Sequence, residues 1–105
     1  MEEVEFQSSR LFRTLGNPLR YRILKSLAKT SSSPQELSEE FGKAQSNISQ
    51  HLRILRDADL VWFRSEGKNA VYEIKAPEVS DLLRAGETLA ARRHLGPRKR
   101  EKPAR

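Results

Sequence analysis

Two short amphipathic segments separated by a glycine constrain the fold of this chain more than any other feature. The first, over 34–41, begins at Ser33-Pro34-Gln35-Glu36, which combines an N-cap serine, a proline at the first helical position and the glutamate of a capping box. The second lies over 44–58, and Gly42 between them suits the positive φ of a tight turn. Its apolar positions share one arc of a helical wheel: Ala44, Ile48, Leu52 and Leu55. Two helices joined in this way predict a helix-turn-helix.

The opposite face of the second segment is suited to the major groove of DNA. It carries hydroxyl, amide and guanidinium groups at Ser46, Ser49, Gln50 and Arg53. Amides and arginine make bidentate hydrogen bonds to base edges, and small serines allow a close approach. Any solvated helix face has a similar composition, so the interpretation depends on the neighbouring helix-turn-helix pattern.

Three further helices and a hairpin are predicted around this pair. Apolar periodicity indicates helices over 4–14, 18–29 and 77–93. The segment 30–32 reads as a linker, while β-rich runs at 60–65 and 70–74 flank a turn at 66–69. We therefore expect an α+β fold, mostly α: a winged helix-turn-helix with about five helices and a two-stranded β-hairpin wing.

Two basic features of this predicted fold have alternative interpretations. The hairpin tip could reach the DNA backbone or a minor groove through Arg64, Lys68 and Asn69, although such residues are also ordinary in turns. Arg20 falls inside the apolar arc of the second helix. We interpret it as a snorkelling stem that pairs with a carboxylate rather than as a DNA contact.

The first and last helices carry more apolar surface than a small winged helix needs internally. Gly86 inside the last helix costs about 1 kcal/mol relative to alanine, which a close helix–helix approach would explain. We therefore predict a homodimer. Its expected interface is formed by Val4, Leu11, Phe12, Val79, Leu82, Leu83, Gly86 and Ala90.

The distribution of charge distinguishes the main part of the chain, called the body here, from a basic C-terminal tail. Residues 92–105 hold seven of the 20 basic side chains and one acidic residue, so they account for the net charge of +6. We expect residues 1–95 to form a winged helix-turn-helix DNA-binding and dimerisation domain and residues 96–105 to be a disordered basic tail. Within the body, residues 10–29 contain basic side chains and no acidic ones.

Several classes of function are not expected from the sequence. The chain has no cysteine, which excludes disulfides and thiolate metal sites. No apolar run approaches the ~20 residues of a membrane span, and the acidic start is unlike a signal peptide, so we expect a cytoplasmic protein with no membrane partner. With no nucleophile–base constellation or phosphate-cradling glycine loop, we expect neither an enzyme nor a cofactor.

The order and the amino-acid sequences of these segments resemble those of the ArsR-type family of winged-helix transcriptional repressors. Residues 15–24, LGNPLRYRIL, are similar to the family's L-x-x-P-x-R-x-x-I-L opening. Residues 46–55, SNISQHLRIL, resemble its S-x-x-S-x-H-L-x-x-L recognition helix. Gln35-Glu36-Leu37-Ser38 and Ala58-Asp59-Leu60-Val61 match in the same order, so the resemblance covers about 10–90.

This resemblance implies a dimer that binds a palindromic double-stranded DNA operator, usually represses it, and releases it on a signal. His51 matches the family histidine, and we interpret it as packing or hydrogen bonding to the backbone rather than contacting a base or metal. Lys43 and Arg56 are expected beside the wing as backbone contacts. The positions implied to contact DNA from the recognition helix are Gln45, Ser46, Asn47, Ser49, Gln50 and Arg53.

The sequence departs from the family where many relatives bind metals. The cysteine pair of their third helix is replaced here by 35–40, QELSEE, and only His94 lies where others place histidines on the last helix. An oxygen-only site at Glu36, Glu39 and Glu40 is the alternative, but acidic residues at a helix start are usually solvated. We expect no metal site.

Two alternatives to a sequence-specific repressor remain: a winged helix used as a protein-interaction module, and a non-specific DNA-binding protein. Fold alone does not decide between them. The module would need an exposed apolar patch, and Trp62 and Phe63 are adjacent, so that one of them must point away from the core side. A non-specific protein would depend on the salt-sensitive attraction of its basic tail.

Overall fold

The computed structural model describes residues 2–93 and consists of five helices and one β-hairpin. The helices are α1 (Glu3–Leu15), α2 (Pro18–Lys29), α3 (Pro34–Phe41), α4 (Gln45–Asp57) and α5 (Glu78–Arg93), and the strands are β1 (Val61–Glu66) and β2 (Asn69–Ile74). The predicted winged helix-turn-helix architecture is confirmed. The predicted tail at 96–105 lies outside the described residues.

Local side-chain signals set the starts of α2 and α3. The Asn17 side chain accepts a hydrogen bond from the Arg20 backbone N–H at 2.9 Å, ahead of Pro18 at the first helical position. Ser33 and Glu36 form the complete capping box: the Glu36 N–H donates to Ser33 Oγ at 3.1 Å and the Ser33 N–H to Glu36 Oε1 at 2.9 Å. The helix start predicted from Ser33-Pro34-Gln35-Glu36 is therefore confirmed.

The turn between α3 and α4 is held by its own backbone. Gly42 has φ +64°, in the left-handed region that favours glycine. The N–H groups of Gly42 and Lys43 both donate to the Ser38 carbonyl, and the Ser38 hydroxyl donates back to the Lys43 carbonyl. This turn fixes the angle at which α4 leaves α3.

One hydrophobic core joins all five helices to the base of the hairpin. Ile48, Leu52 and Leu55 of α4 are fully buried, as their apolar arc predicts, whereas Ala44, predicted on the same arc, is exposed at the N-cap. Burial of each such side chain contributes about 1.5–3 kcal/mol. The remaining core residues are Leu15, Ile23, Leu24, Leu27, Leu37, Leu60, Val61, Val79 and Leu83.

The hairpin is tighter than the predicted turn at 66–69. Glu66 pairs with Asn69, so that only Gly67 and Lys68 form the loop, and Gly67 has φ +62°. A two-residue loop matches the right-handed twist of the strands and needs a positive φ, which glycine supplies at little cost. The strand register follows from this loop, with Phe63 opposite Tyr72.

The predicted linker at 30–32 contains a β-bridge. The Ser32 N–H donates to the Tyr72 carbonyl at 3.0 Å, and the Tyr72 N–H donates to the Ser32 carbonyl at 2.7 Å. Ser32 is buried as a result. The segment between α2 and α3 is therefore attached to β2, which the local sequence did not indicate because the two partners are far apart in the chain.

Candidate nucleic-acid interface

The polar face of α4 is exposed along its whole length. Its fully buried residues hold the opposite face against the core, so the outward direction of the polar face is fixed by packing. Asn47 is only half-exposed, unlike the other predicted contacts. The structure places the other five on the surface: Gln45, Ser46, Ser49, Gln50 and Arg53.

The first turn of α4 differs from those of α2 and α3. Ala44 occupies its N-cap, and no side chain of the described chain accepts a hydrogen bond from this turn. The initial N–H groups of a helix carry a partial positive charge and favour anions such as phosphate. Lys43, exposed just before this turn, adds a positive charge. The N–H groups of this turn and the Lys43 ammonium therefore give the start of α4 a positive local charge.

A hydrogen-bonded arginine and histidine attach the buried side of α4 to α2. Arg20 Nε donates to the Thr14 carbonyl at 2.9 Å, and Arg20 Nη1 lies 3.2 Å from His51 Nδ1. The prediction that Arg20 pairs with a carboxylate is wrong. Its guanidinium is instead hydrogen-bonded to a main-chain carbonyl and to an imidazole nitrogen. His51 is correspondingly bonded to a side chain rather than to the backbone.

This contact holds His51 in its neutral form. Arginine can only donate, so His51 Nδ1 must accept and therefore be unprotonated. Burial, and secondly the charge of Arg20, lower the pKa of His51 below its ordinary value of 6.5. Protonation would remove the acceptor and place two positive charges side by side at the back of the candidate DNA-binding helix.

We expect the free energy of unfolding to fall as the pH drops below about 6.5, because the unfolded chain then binds a proton on His51 that the folded chain resists. The slope from this residue is less than about 1.4 kcal/mol per pH unit. Urea unfolding at several pH values would measure it. The control is His51→Gln, whose amide oxygen can still accept from Arg20 but does not titrate. Equal pH dependence in the two proteins would refute this role.

The predicted contact residues of the wing differ in how available their side chains are. Lys68 and Asn69 are exposed at the hairpin tip. Arg64 forms ion pairs with Glu66 and, at 3.4 Å, with Glu73. Because these carboxylates neutralise the guanidinium, Arg64 is less available for a phosphate than the tip residues are.

Two aromatic residues of β1 are both half-exposed, although one was expected to face the core side. Phe63 lies 5.3 Å from the Tyr72 ring, and Arg56 of α4 lies 5.3 Å above Phe63. Arg56 therefore joins the end of α4 to the wing through a cation–π contact. On the other face of the strand, Trp62 donates to Glu73 at 2.9 Å.

The predicted dimer surface needs a correction on α5. Val79 and Leu83 are 1% and 6% exposed, because they pack into the core of the chain itself and are already covered. Gly86 and Ala90 are exposed, and a Cβ added at Gly86 would have no atom within 4 Å among the described residues beyond its own helix turn. Leu89, 61% exposed, was missed. Leu89 lies seven residues after Leu82, about two helical turns, and this spacing could have placed it on the same face of α5.

The exposed apolar side chains of α1 and α5 remain on the surface of the single chain. On α1, Val4 and Phe12 are 75% and 58% exposed, whereas Leu11 is half-buried against the core. Large exposed hydrophobic side chains on two helices mark an association surface when they are contiguous.

The acidic residues of α3 have partners in the structure. Glu36 belongs to the capping box, Glu39 accepts from Gln35 at 3.5 Å, and Glu40 accepts from the Ser26 hydroxyl at 2.8 Å. Across residues 2–93, the structure brings no three His, Asp or Glu side chains together in a metal-binding group. No helix in that range has the length and apolarity to cross a membrane.

Comparison with known proteins gives a consistent set of relatives. Residues 17–62 match the family model described as bacterial regulatory protein, arsR family. The uncharacterized HTH-type transcriptional regulator Rv0081 of Mycobacterium tuberculosis is 40% identical over 82 residues, which cover 77% of this chain and 72% of that protein. A probable mercury resistance operon repressor of Streptomyces lividans is 33% identical over 84 residues, covering 80% and 67%.

Solved structures show the same likeness. The crystal structure of Rv0081 has a TM-score of 0.81 at 35% identity and covers 88% of this chain and 93% of that one. The solution structure of a homodimeric winged helix-turn-helix DNA-binding domain from Mycobacterium bovis, a possible ArsR-family regulator, has a TM-score of 0.79 at 26% identity and covers 86% and 83%.

Proposed function

The chain belongs to the ArsR family of bacterial regulatory proteins, and from this premise we propose that it is a dimeric repressor that binds a palindromic DNA operator. Two copies of α4 would enter successive major grooves on one side of the duplex. The exposed residues of α4 would contact base edges, while Lys43 and the wing tip, Lys68 and Asn69, would contact the phosphate backbone.

The observation that carries the proposal is the division of α4 into two faces. One face is fully buried, so the helix cannot rotate, and the other presents amide, hydroxyl and guanidinium groups together. Gln50 and Arg53 can form bidentate hydrogen bonds with adenine and guanine, respectively. The uncapped first turn of α4 adds a phosphate contact that would set the helix in register on the duplex.

Selection of bound sequences from random duplex DNA tests this proposal directly. We expect enrichment of a palindrome whose half-sites lie about one helical turn apart. Sedimentation of the purified protein should give a dimer. Salt-sensitive binding without an enriched sequence would indicate that the basic residues of 96–105 supply the affinity, and would overturn the operator proposal.

The proposed dimer surface combines exposed apolar residues of α1 and α5 with Leu82, which is half-buried against the core. Gly86 would permit a close approach of the partner helix, since its own chain leaves that space open. The relative from Mycobacterium bovis is homodimeric, which supports the proposal for this chain. The residues that we assign to the surface are Val4, Phe12, Leu82, Gly86, Leu89 and Ala90.

We expect Leu89→Glu to convert the dimer to a monomer, because an interface cannot bury an unpaired carboxylate without a large cost in free energy. The residue is exposed in the single chain, so folding should be preserved. Thr88→Glu is the matched control: it adds the same charge to the adjacent exposed position, on another face of α5. Sedimentation velocity distinguishes the two, and a Leu89→Glu dimer of undiminished strength would exclude this surface.

We further propose that the regulator does not sense metals through thiolates, since the chain has no cysteine. The acidic residues of α3 instead stabilise the fold through the capping box and the bond from Ser26 to Glu40.

A further inference from the structure

The basic face of α2 forms one wall of a cleft that the DNA-binding proposal does not use. Arg22, Lys25 and Lys29 line this cleft, and the end of α3 forms the opposite wall with Phe41. Its volume of about 410 Å³ lies within the range of small-molecule sites. Within residues 2–93, neither Arg22 nor Lys29 forms an ion pair with a carboxylate.

The chemistry of the cleft fits a phosphate group. Arg22 lies over the Phe41 ring, 4.8 Å from its centroid, and this stacking orients the planar guanidinium while leaving its N–H edges available. Such an oriented guanidinium binds phosphate bidentately, and Lys29 adds a compact charge. The Thr30 hydroxyl also lines the cleft and can donate to a further phosphate oxygen, whereas the Ser26 hydroxyl donates to Glu40, whose carboxylate lies in the same lining.

One cation of the cleft is shared with α5. Lys25 Nζ lies 2.9 Å from Glu87 Oε2, and the same oxygen accepts from the Tyr21 hydroxyl at 2.9 Å. The hydrogen bond from Lys25, followed by that from Tyr21, lowers the pKa of Glu87. Burial and the bond to Glu87 raise the pKa of Tyr21 to about 12. This three-residue contact attaches α5, the helix of the proposed dimer surface, to α2.

We propose that the α2–α3 cleft binds a small molecule through a phosphate group, and that the bound phosphate competes with Glu87 for Lys25. Arg22 and Lys29 provide positive charge that is always available in the cleft. Lys25 exchanges its ion-pair partner between Glu87 and the bound phosphate. Occupation of the cleft thereby loosens the attachment of α5 to α2. Its consequence for operator binding rests on the proposed function, whereas phosphate binding itself does not.

The separation of this cleft from α4 and the hairpin favours a small molecule over the phosphate backbone of DNA as the source of this group. No residue of α4 or the hairpin is part of its lining among the described residues. The two sources are nevertheless separable by experiment.

Titration of the full ¹⁵N-labelled chain with inorganic phosphate, against sodium chloride of equal ionic strength, tests the site without DNA. We expect saturable shifts of the backbone amides over 26–32 and around Glu87, with half-saturation near about 1 mM. Arg22→Gln combined with Lys29→Gln should weaken binding at least about tenfold, because charge-assisted hydrogen bonds are lost. Lys29→Gln alone, which leaves the Phe41 stack intact, should weaken it in the same direction.

Two matched variants make the test specific. Arg13→Gln combined with Arg84→Gln removes the same charge from exposed positions outside the cleft and should leave phosphate binding unchanged. Glu87→Gln should tighten binding severalfold, because Lys25 is then released to the phosphate. Equal weakening by both double variants, or no saturation, would overturn the site.

The DNA arm of the experiment identifies the source of the phosphate group. If Arg22→Gln with Lys29→Gln lowered the affinity for duplex DNA and flattened its salt dependence while inorganic phosphate failed to saturate, the cleft would be a backbone contact and the small-molecule proposal would be wrong. If phosphate bound as expected to a protein that selected no operator, the cleft would stand and the repressor proposal would fail.

Discussion

Replacement of both Gln50 and Arg53 by alanine is expected to lower the affinity for the selected operator by about 100-fold or more, since each bidentate base contact contributes about 1–3 kcal/mol of discrimination. Both side chains are exposed, so folding and dimerisation should be unchanged. Affinity for unrelated duplex DNA should fall far less, because phosphate contacts supply that binding. Fluorescence anisotropy at one fixed salt concentration measures both affinities.

The matched control for this variant lies on α1. Gln7→Ala combined with Arg10→Ala removes the same two residue types from an exposed helix face and should leave operator affinity unchanged. If the Gln50 and Arg53 variant bound the operator as tightly as the original chain, α4 would not read the bases. The same domain would then fit better as a protein-interaction module, for which the half-exposed Trp62 and Phe63 provide apolar side chains on opposite faces of β1.

The second large effect concerns the buried side of the same helix. Ile48→Ala is expected to lower the free energy of unfolding by about 2–5 kcal/mol, because it leaves a cavity in a fully buried site. A domain of this size has a total stability of only about 5–15 kcal/mol. The variant should therefore unfold at a lower urea concentration than the original chain, and any loss of DNA binding would follow from loss of structure rather than loss of a contact.

Ile54→Ala provides a control with the same chemical change on the same helix. Ile54 is 40% exposed, whereas Ile48 is 0% exposed, so its truncation should cost well under half as much. Urea unfolding at one protein concentration compares the two variants, with concentration held constant because dimerisation contributes to stability. Equal losses would mean that α4 does not pack against the core through the face described above.

The helices and the hairpin could be predicted because their signals are local. Ser33 and Glu36 are three residues apart, and the glycine at position 42 marks a backbone conformation that other residues seldom adopt. Periodicity then identified the buried arc of α4. Each of these inferences required only neighbouring residues, and each element was found within one residue or so of its observed ends.

The features that the sequence did not reveal depend on residues distant in the chain. Arg20 and His51 are 31 positions apart, and no local pattern pairs a guanidinium with an imidazole rather than a carboxylate. The bridge between Ser32 and Tyr72 also joins residues that are distant in the chain, so no local sequence pattern indicates it.

The helical-wheel prediction of the dimer surface on α5 was partly wrong for a related reason. It identified apolar positions without distinguishing those covered by their own chain, such as Val79, from those left open, such as Leu89. The arrangement of Arg64 between two carboxylates likewise required the strand register. Assignment of a side chain to DNA or to a partner therefore needed the neighbours that only the folded chain provides.

The β-bridge at Ser32 has a consequence for the kind of DNA that suits this protein. Its two hydrogen bonds attach β2 to the segment that begins α3, while Arg56 attaches β1 to α4, so both strands of the wing are joined to the helix-turn-helix. In the proposed complex, α4 and the wing tip would contact the duplex at two points whose spacing these attachments restrict. DNA that bends to match them would be favoured, and its stiffness would then contribute to selectivity at base pairs that no side chain touches.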